Sequence, residues 1–226
     1  MIKSDCIFDD VEPFMSLWVG DDTTDTGDLA RVAEIAIDKH INIVSVPNSV
    51  TGIFWPWLEG KNIKILSRFN FQIEKDQDID SAVSEFAKNL TAGFRAGASG
   101  TQVFVSSSDV VKFADAVRPI RDDLFFDRYL AIAVNIDEMG DTKWADIFNA
   151  VSNIHPNAIL IFGNEDTFNP NSDFVGRVYD MLENWNLNAD LHLMFGKNMM
   201  RFSQVLRLGQ RMTPNLVKNM RVFLEH

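Results

Sequence analysis

The sequence of 226 residues contains a single cysteine, Cys6, and no unbroken apolar run near twenty residues. One cysteine cannot form an internal disulfide or a zinc-binding cysteine cluster, and without a long apolar run no membrane-spanning helix is predicted. The N-terminus also lacks the basic-then-apolar pattern of a secretory signal. These absences predict an intracellular, cytoplasmic protein with no membrane partner.

Basic charge is also scarce, since 21 lysines and arginines stand against 32 aspartates and glutamates, for a formal net charge of −11. Nucleic acids and anionic membranes are bound through concentrated basic surface, so we expect neither partner. From Asn186 onward the balance reverses, with six basic and two acidic residues. This local excess is consistent either with surface arginines on the last helices or with an anion-binding role.

The rest of the composition, 46% hydrophobic and 23% charged residues, is typical of one globular domain. A β-rich apolar run followed by a helical period recurs about every 25 to 35 residues, an alternation typical of a parallel sheet. Seven strands are predicted, at residues 14–19, 41–46, 63–69, 101–105, 130–136, 158–162 and 189–195. We therefore predict a single α/β domain over residues 1–226.

Seven strand–helix units in a chain of this length predict a (β/α)₈ TIM barrel, with an open doubly wound parallel sheet as the alternative. Helices are predicted at residues 26–37, 49–58, 79–96, 108–117, 143–153, 173–184, 199–208 and 214–224. Only residues 210–212 then remain for the eighth strand. We expect that strand to be irregular or missing, or to be replaced by residues 2–8.

In a TIM barrel the functional groups lie at the carboxyl ends of the strands. Polar side chains follow most predicted strands: Asp21, Asp22, Asn48, Arg68, Asn70, Ser106, Asn135, Asp137, Glu138, Asn164, Glu165, Lys197 and Asn198. Carboxylates and amides in this number suit a hydroxylated or phosphorylated small molecule, although acidic residues here also act as helix N-terminal charges.

From this set, and from Gln102 and His192, which lie within strands and could point into the barrel, we predict two groups of site residues. The predicted catalytic residues are His192, Glu165 and Asp137, and the predicted substrate-binding residues are Asp21, Arg68, Gln102, Asn135, Lys197 and Asn198. His192 lies inside a strand and is either a satisfied core histidine or a general acid and base. Lys197 follows Gly196 in a loop, where a lysine supplies a point charge for phosphate, and with Arg68 it would hold an anion.

No cofactor and no metal are predicted. The sequence contains no Gly-x-Gly-x-x-Gly, Walker-type or Gly-x-Ser-x-Gly motif. Its four histidines have no partner at metal-binding spacing. An oxygen-ligand magnesium site from Asp21, Asp137 and Glu165 depends on whether the fold brings these carboxylates together.

Several short motifs resemble the deoxyribose-phosphate aldolases. The helix start Thr26-Gly27-Asp28-Leu29 and the strand Ile43-Val44-Ser45-Val46-Pro47-Asn48-Ser49-Val50 are similar to the opening of that family. Ser67-Arg68-Phe69-Asn70 is similar to its turn after the third strand, and residues 92–102 and 196–209 to its approaches to the fourth strand and the last helices. The resemblance covers residues 15–210 and implies a TIM barrel.

The resemblance also implies a class I aldolase, in which a lysine on the sixth strand forms a Schiff base while an aspartate and a second lysine move protons. Here residues 158–163 contain no lysine, Gln102 stands near the expected aspartate and His192 near the second lysine. Residues 209–213 also lack the family's phosphate-binding turn. Schiff-base chemistry is therefore not expected from this chain.

Two functions follow from these observations. The first is a divergent aldolase-type enzyme, a lyase or isomerase of carbohydrate metabolism, that acts on a small sugar or sugar phosphate by proton transfer. The second is an inactive barrel that binds a metabolite or a protein partner. The aromatic segment 54–57 and an incomplete eighth strand would also leave apolar surface or a sheet edge for a homodimer.

Overall fold

A computed structural model describes residues 14–73, 78–163, 174–196 and 198–225. Eight strands are present: β1 Met15–Trp18, β2 Ile43–Pro47, β3 Lys64–Phe71, β4 Gly100–Val105, β5 Tyr129–Asn135, β6 Ala158–Phe162, β7 Asp190–Met194 and β8 Arg221–Glu225. Each strand is parallel to both neighbours, and together they close into a barrel in sequence order. The predicted TIM barrel is confirmed, and the open doubly wound sheet was wrong.

The helices surround this barrel. They are α1 Thr26–Asp38, α2 Thr51–Leu58, α3 Ile79–Arg95, α4 Val110–Val117, α5 Arg121–Phe125, α6 Trp144–Ser152, α7 Phe174–Glu183, α8 Met199–Met212 and α9 Pro214–Val217. Short 3₁₀ turns cover Asn48–Val50, Arg118–Ile120 and Ile136–Glu138. No helix in the described ranges is long and apolar enough to cross a membrane.

The sequence explains why α1 begins and packs as it does. The side chain of Asp25 accepts hydrogen bonds from the backbone N–H groups of Gly27 and Asp28, at 2.8 and 3.2 Å, and so caps two donors that the first turn leaves unpaired. Leu29 and Val32 share the buried face of this helix and pack against β1 and β2. One capped, amphipathic helix thus covers the outside of two strands.

The expected irregular or missing eighth strand was wrong. β8 pairs with β1 from Met15↔Val222 to Trp18↔Glu225, and with β7 through His192↔Arg221. The helix predicted through Leu224 ends at Val217, and α8 extends to Met212. Residues 221–225 instead alternate in the period of two of a strand, since Val222 joins the outer core and Phe223 the barrel interior.

Closure of the barrel removes one argument for a homodimer, because β1 and β8 leave no strand edge unpaired between them. The aromatic segment keeps part of its exposure, since Trp57 is only half-buried. Phe54 is fully buried, while Trp55 is 36% exposed. Residues 2–8, named as a replacement strand, and Cys6 lie outside the described residues.

Alternate residues of the strands fill the barrel. The interior cluster is formed by Trp18, Ile43, Leu66, Ala133, Leu160 and Phe223, with Phe104, Tyr129, Phe162 and Met194 packed against it. The other face of each strand contributes to the larger core beneath the helices. Inward-facing residues near the strand ends are therefore the ones that any pocket in the barrel mouth can use.

Candidate functional site

A pocket of about 640 Å³ opens at the carboxyl ends of the strands. Its inner wall is apolar and comprises Trp18, Pro47, Phe104, Phe162, Gly163 and Met194, whereas its rim is polar and comprises Asp21, Asp22, Asn48, Arg68, Asn70 and Glu225. We call this the carboxyl-end pocket. It lies where the functional site of TIM-barrel proteins is found, and its size is within the range of roughly 300 to 1,000 Å³ for small-molecule sites.

Arg68 is the central polar group of this pocket, and its position within β3, opposite Pro47 of β2, places it there. Its Nη1 donates to the carbonyl oxygen and to Oγ of Ser45, at 3.2 and 3.1 Å. Its Nη2 donates to the carbonyl oxygen of Val19 and, at 2.7 Å, to Oδ1 of Asp21. The guanidinium thus ties together the ends of β1, β2 and β3.

The same guanidinium lies over an aromatic wall. Its Cζ atom is 4.0 Å from the ring centroid of Trp18, a cation–π geometry. Trp18 in turn meets Phe104 edge-on with ring centroids 5.9 Å apart, and Phe104 meets Phe162 at 5.0 Å. These edge-to-face contacts join the three rings into one packed wall, so the apolar side of the pocket is formed by the protein alone.

Charge on the pocket rim is mostly negative. Asp21 is 80% exposed despite its contact with Arg68, which is only 7% exposed. Burial lowers the pKa of Arg68, and the hydrogen bond and charge of Asp21 together with the charge of Glu225 oppose that shift. A Cβ on Gly20 would lie 3.3 Å from Glu225 Oε1, which places this carboxylate beside the β1 loop.

Asp137, a predicted catalytic residue, is instead held in an ion pair beside the pocket. Its Oδ2 and Oδ1 accept from Nη1 and Nη2 of Arg201 at 2.7 and 3.1 Å. The two side chains are 14% and 7% exposed, and Arg201 also stacks on Phe174 at 4.5 Å. Gly163, which lines the pocket, packs directly against this pair, since a Cβ there would lie 2.5 Å from Asp137 Oδ2.

Two predicted substrate-binding residues support that ion pair. Asn135 accepts a hydrogen bond from the backbone N–H of Asp137 at 3.0 Å. Asn198 accepts from the N–H of Arg201 at 3.3 Å and so caps the start of α8. Both amides therefore fix the backbone that carries Asp137 and Arg201, and neither lines the carboxyl-end pocket.

Gln102 and His192 are fully buried inside the barrel. The Oε1 atom of Gln102 accepts from Oγ of Ser45. His192 Nε2 lies 3.1 Å from the hydroxyl of Tyr129, and the two rings stack at 5.9 Å. Burial lowers the pKa of His192 to about 3, and the charge of Arg221 acts in the same direction. The imidazole is therefore neutral at physiological pH.

The structure thus divides the predicted site into three places. Asp21 and Arg68 meet in the carboxyl-end pocket together with the other rim residues suggested by the strand ends, Asp22, Asn48 and Asn70. Asp137, Asn135 and Asn198 gather around Arg201, while Gln102 and His192 lie in the barrel interior. Asn164, Glu165 and Lys197 lie outside the described residues. Their predicted roles stay predictions.

Sequence reasoning missed the apolar wall and Glu225. Trp18, Phe104, Phe162 and Met194 stand at the ends of correctly predicted strands, where the period of two places them on the same face as the other inward residues. Glu225 was missed because it fell beside the end of a predicted helix. Residues 221–225 alternate as in a strand, and this pattern would have placed Glu225 on the same inward face as Phe223.

No group of three histidine, cysteine or acidic side chains suited to hold a metal ion occurs among the described residues. Asp21 and Asp137 do not form a common carboxylate site, because Asp21 is bound to Arg68 and Asp137 to Arg201. The third member of the magnesium hypothesis, Glu165, is outside the described ranges.

A second, larger pocket of about 1060 Å³ lies at the amino ends of the strands, lined by residues such as Tyr129, Asn157, Trp185 and Asp190. In TIM barrels this end serves stability, whereas ligands bind at the other. It also lacks the packed aromatic wall of the carboxyl-end pocket. We therefore take the smaller pocket as the candidate functional site.

Neither a family model nor a curated protein matches this chain. Solved structures do. A Toxoplasma gondii ME49 protein described as a deoxyribose-phosphate aldolase is 14% identical, with 97% of this chain and 90% of that chain covered and a TM-score of 0.67. The deoxyribose phosphate aldolase of Aeropyrum pernix is 10% identical, with 83% and 77% covered and a TM-score of 0.59.

D-psicose 3-epimerase of Clostridium cellulolyticum H10, solved with D-tagatose, is also 10% identical, with 94% and 82% covered and a TM-score of 0.57. The chain therefore has an aldolase-type TIM-barrel fold, which sugar epimerases share. The resemblance to deoxyribose-phosphate aldolases is confirmed at the level of the fold. At these identities the fold is what the likeness shows, and β6 contains no lysine.

Proposed function

We propose that this protein binds a small sugar in the carboxyl-end pocket. The observation that carries the proposal is the pocket itself, which combines a packed aromatic wall with carboxylate and amide groups on its rim. Aromatic faces pack on the C–H surface of a sugar while oxygen and nitrogen atoms bind its hydroxyls, so both halves of the pocket match this ligand. The epimerase structures with D-tagatose and D-fructose support the same ligand class.

Binding is better supported than proton transfer. A general acid or base must reach the substrate directly or through one water. Both carboxylate oxygens of Asp137 accept from Arg201, and His192 has no exposed surface. Of the predicted catalytic residues, only Glu165 remains to be placed. We therefore assign the pocket to recognition of a metabolite, the second of the two functions that the sequence leaves open.

Calorimetric titration of the purified protein with D-fructose, D-tagatose and 2-deoxy-D-ribose tests this proposal. We expect saturable binding of at least one sugar, weakened about 5- to 10-fold by Asn70→Ala, the loss typical of one hydrogen bond. Asn219→Ala is the matched control, since Asn219 is an exposed amide at the amino-end pocket. Absence of binding by the wild type, or equal loss in both variants, would contradict the assignment.

The enzyme alternative is tested on the same samples. Proton NMR of each sugar in D₂O detects exchange at the carbon beside the carbonyl and any conversion to another sugar. We expect spectra unchanged from those of the sugar alone. Turnover that is lost in Glu165→Gln and retained in Asp137→Asn would establish proton transfer and replace the binding assignment.

A further inference from the structure

The guanidinium of Arg68 has few N–H groups left to offer a ligand. Arginine carries five N–H donors, of which Nη1 and Nη2 hold two each. Nη1 has the carbonyl oxygen and Oγ of Ser45 as acceptors, and Nη2 has the carbonyl oxygen of Val19 and Asp21. Only the Nε–H remains. A phosphate is bound by arginine through two parallel donors, which Arg68 cannot supply without breaking these bonds.

One face of the guanidinium is occupied as well. Trp18 covers it at 4.0 Å, so no ligand can stack on that side. Within the pocket, Arg68 therefore links strand ends and neutralises part of the charge of Asp21. It is not arranged as the anion-holding group that the sequence suggested.

The described lining residues also have the wrong charge for an anion. Asp21, Asp22 and Glu225 are three carboxylates, and Arg68 is the one cation among them, which gives a net charge of −2. All three carboxylates are exposed, with Asp21 at 80%. A pocket lined by one sign of charge concentrates ligands of the opposite sign and repels those of its own.

We propose that the carboxyl-end pocket selects unphosphorylated sugars and binds an amino sugar more tightly than its neutral counterpart, because exposed carboxylates line a pocket whose only described cation is already bound. This inference rests on the proposed function and specifies its ligand class. The ammonium group of an amino sugar replaces a hydroxyl and pairs with Asp22 or Glu225. A phosphate monoester in the same place meets these carboxylates as a like charge.

The test is a calorimetric comparison of three matched ligands: D-fructose, 1-amino-1-deoxy-D-fructose and D-fructose 6-phosphate. We expect the amino sugar to bind at least about 10-fold more tightly than the phosphate ester, with fructose between them. Raising the ionic strength should bring the affinities for the amino sugar and the phosphate ester closer together, since salt screens charges on an exposed rim.

Variants test whether the rim carboxylates cause the preference for the amino sugar. Asp22→Asn and Glu225→Gln each remove one rim charge, and each should reduce the ratio of the two affinities several-fold. Glu34→Gln on the exposed face of α1 removes the same charge far from the pocket and should leave the ratio unchanged. Equal effects of all three variants would mean that net charge, not this rim, sets the preference, and would overturn the proposal.

The outcomes distinguish the two proposals. If D-fructose 6-phosphate binds as tightly as the amino sugar or more tightly, the charge selection is overturned and the sugar site stands. If none of the three ligands binds, and the sugars of the first titration also fail to bind, the sugar site itself is overturned. In the first of these cases, Lys197→Met shows whether the tight phosphate binding comes from the predicted anion-binding lysine.

Discussion

The two ends of this barrel use charge in opposite ways. At the carboxyl end, three carboxylates surround one arginine whose donors are occupied, and the rim is open to ligands. At the amino end, the first residues of β3, β5, β7 and β8 are Lys64, Tyr129, Asp190 and Arg221, which we call the amino-end cluster. This cluster has one more cation than anion.

The amino-end cluster is linked to the barrel interior. Lys64 Nζ lies 5.2 Å from the ring centroid of Tyr129, whose hydroxyl meets the buried His192. Burial raises the pKa of Tyr129, and it raises that of Asp190 against the opposing charges of Arg221 and Lys64. Tyr129, Asp190 and His192 are thus drawn into the packing at the amino end, whereas the three carboxylates of the carboxyl-end rim remain exposed.

We expect the largest effect from breaking the ion pair between Arg201 and Asp137, which lies at the carboxyl end of the barrel but not on the pocket rim. Arg201→Met removes the two hydrogen bonds that Arg201 donates to Asp137, a nearly buried carboxylate, which costs about 3–5 kcal/mol of the free energy of unfolding. Urea denaturation measures the loss. The double variant Arg201→Met, Asp137→Asn should recover part of it, because the carboxylate is then absent. A loss below about 1 kcal/mol in the single variant would show that this pair does not hold the loops beside the pocket.

A second comparison concerns the contribution to stability of one cation from each end, Arg68 at the carboxyl end and Lys64 at the amino end. Arg68→Met removes hydrogen bonds to the carbonyl oxygens of Val19 and Ser45, with an expected loss of about 2–3 kcal/mol in the free energy of unfolding. Lys64→Met removes an exposed cation for which the described residues offer no ion pair within 4.0 Å. Its effect should stay within about 0.5 kcal/mol. Equal losses in urea denaturation would contradict the contrast between a bound and an available cation.

The barrel could be predicted because seven strands stand out as short apolar, β-rich runs, each followed by a helical period. This pattern depends on the local sequence alone. β8 was missed because Pro214 begins a helix in the expected way, and nothing in the sequence marks that helix as ending at Val217. The predicted strand ends also led to Asp21 and Arg68, which both line the carboxyl-end pocket, while their role in binding stays a prediction. The sequence could not show that Arg68 faces Ser45 and Val19, because that depends on how the ends of β1 and β2 lie beside β3 and on the direction of each side chain.

Among the buried groups, the smallest effect at neutral pH is expected for His192, which joins the amino-end cluster to the interior. His192→Gln should change the free energy of unfolding by only about 1 kcal/mol at pH 7, because the histidine is already neutral there and the amide can still bond the Tyr129 hydroxyl. The difference should appear on acidification. The folded-state pKa is about 3, below the ordinary value of 6.5, so the unfolded chain takes up the proton first.

His192 therefore makes the wild type lose stability as the pH falls from 6.5 toward 3, and this contribution is absent in His192→Gln. Urea denaturation at several pH values in this window should give a steeper decline for the wild type than for the variant. His40→Gln, which replaces an exposed histidine after α1, is the control and should follow the wild type. Parallel declines for all three proteins would mean that His192 takes up its proton without opening the barrel, and the amino-end cluster would then be as accessible as the carboxyl-end rim.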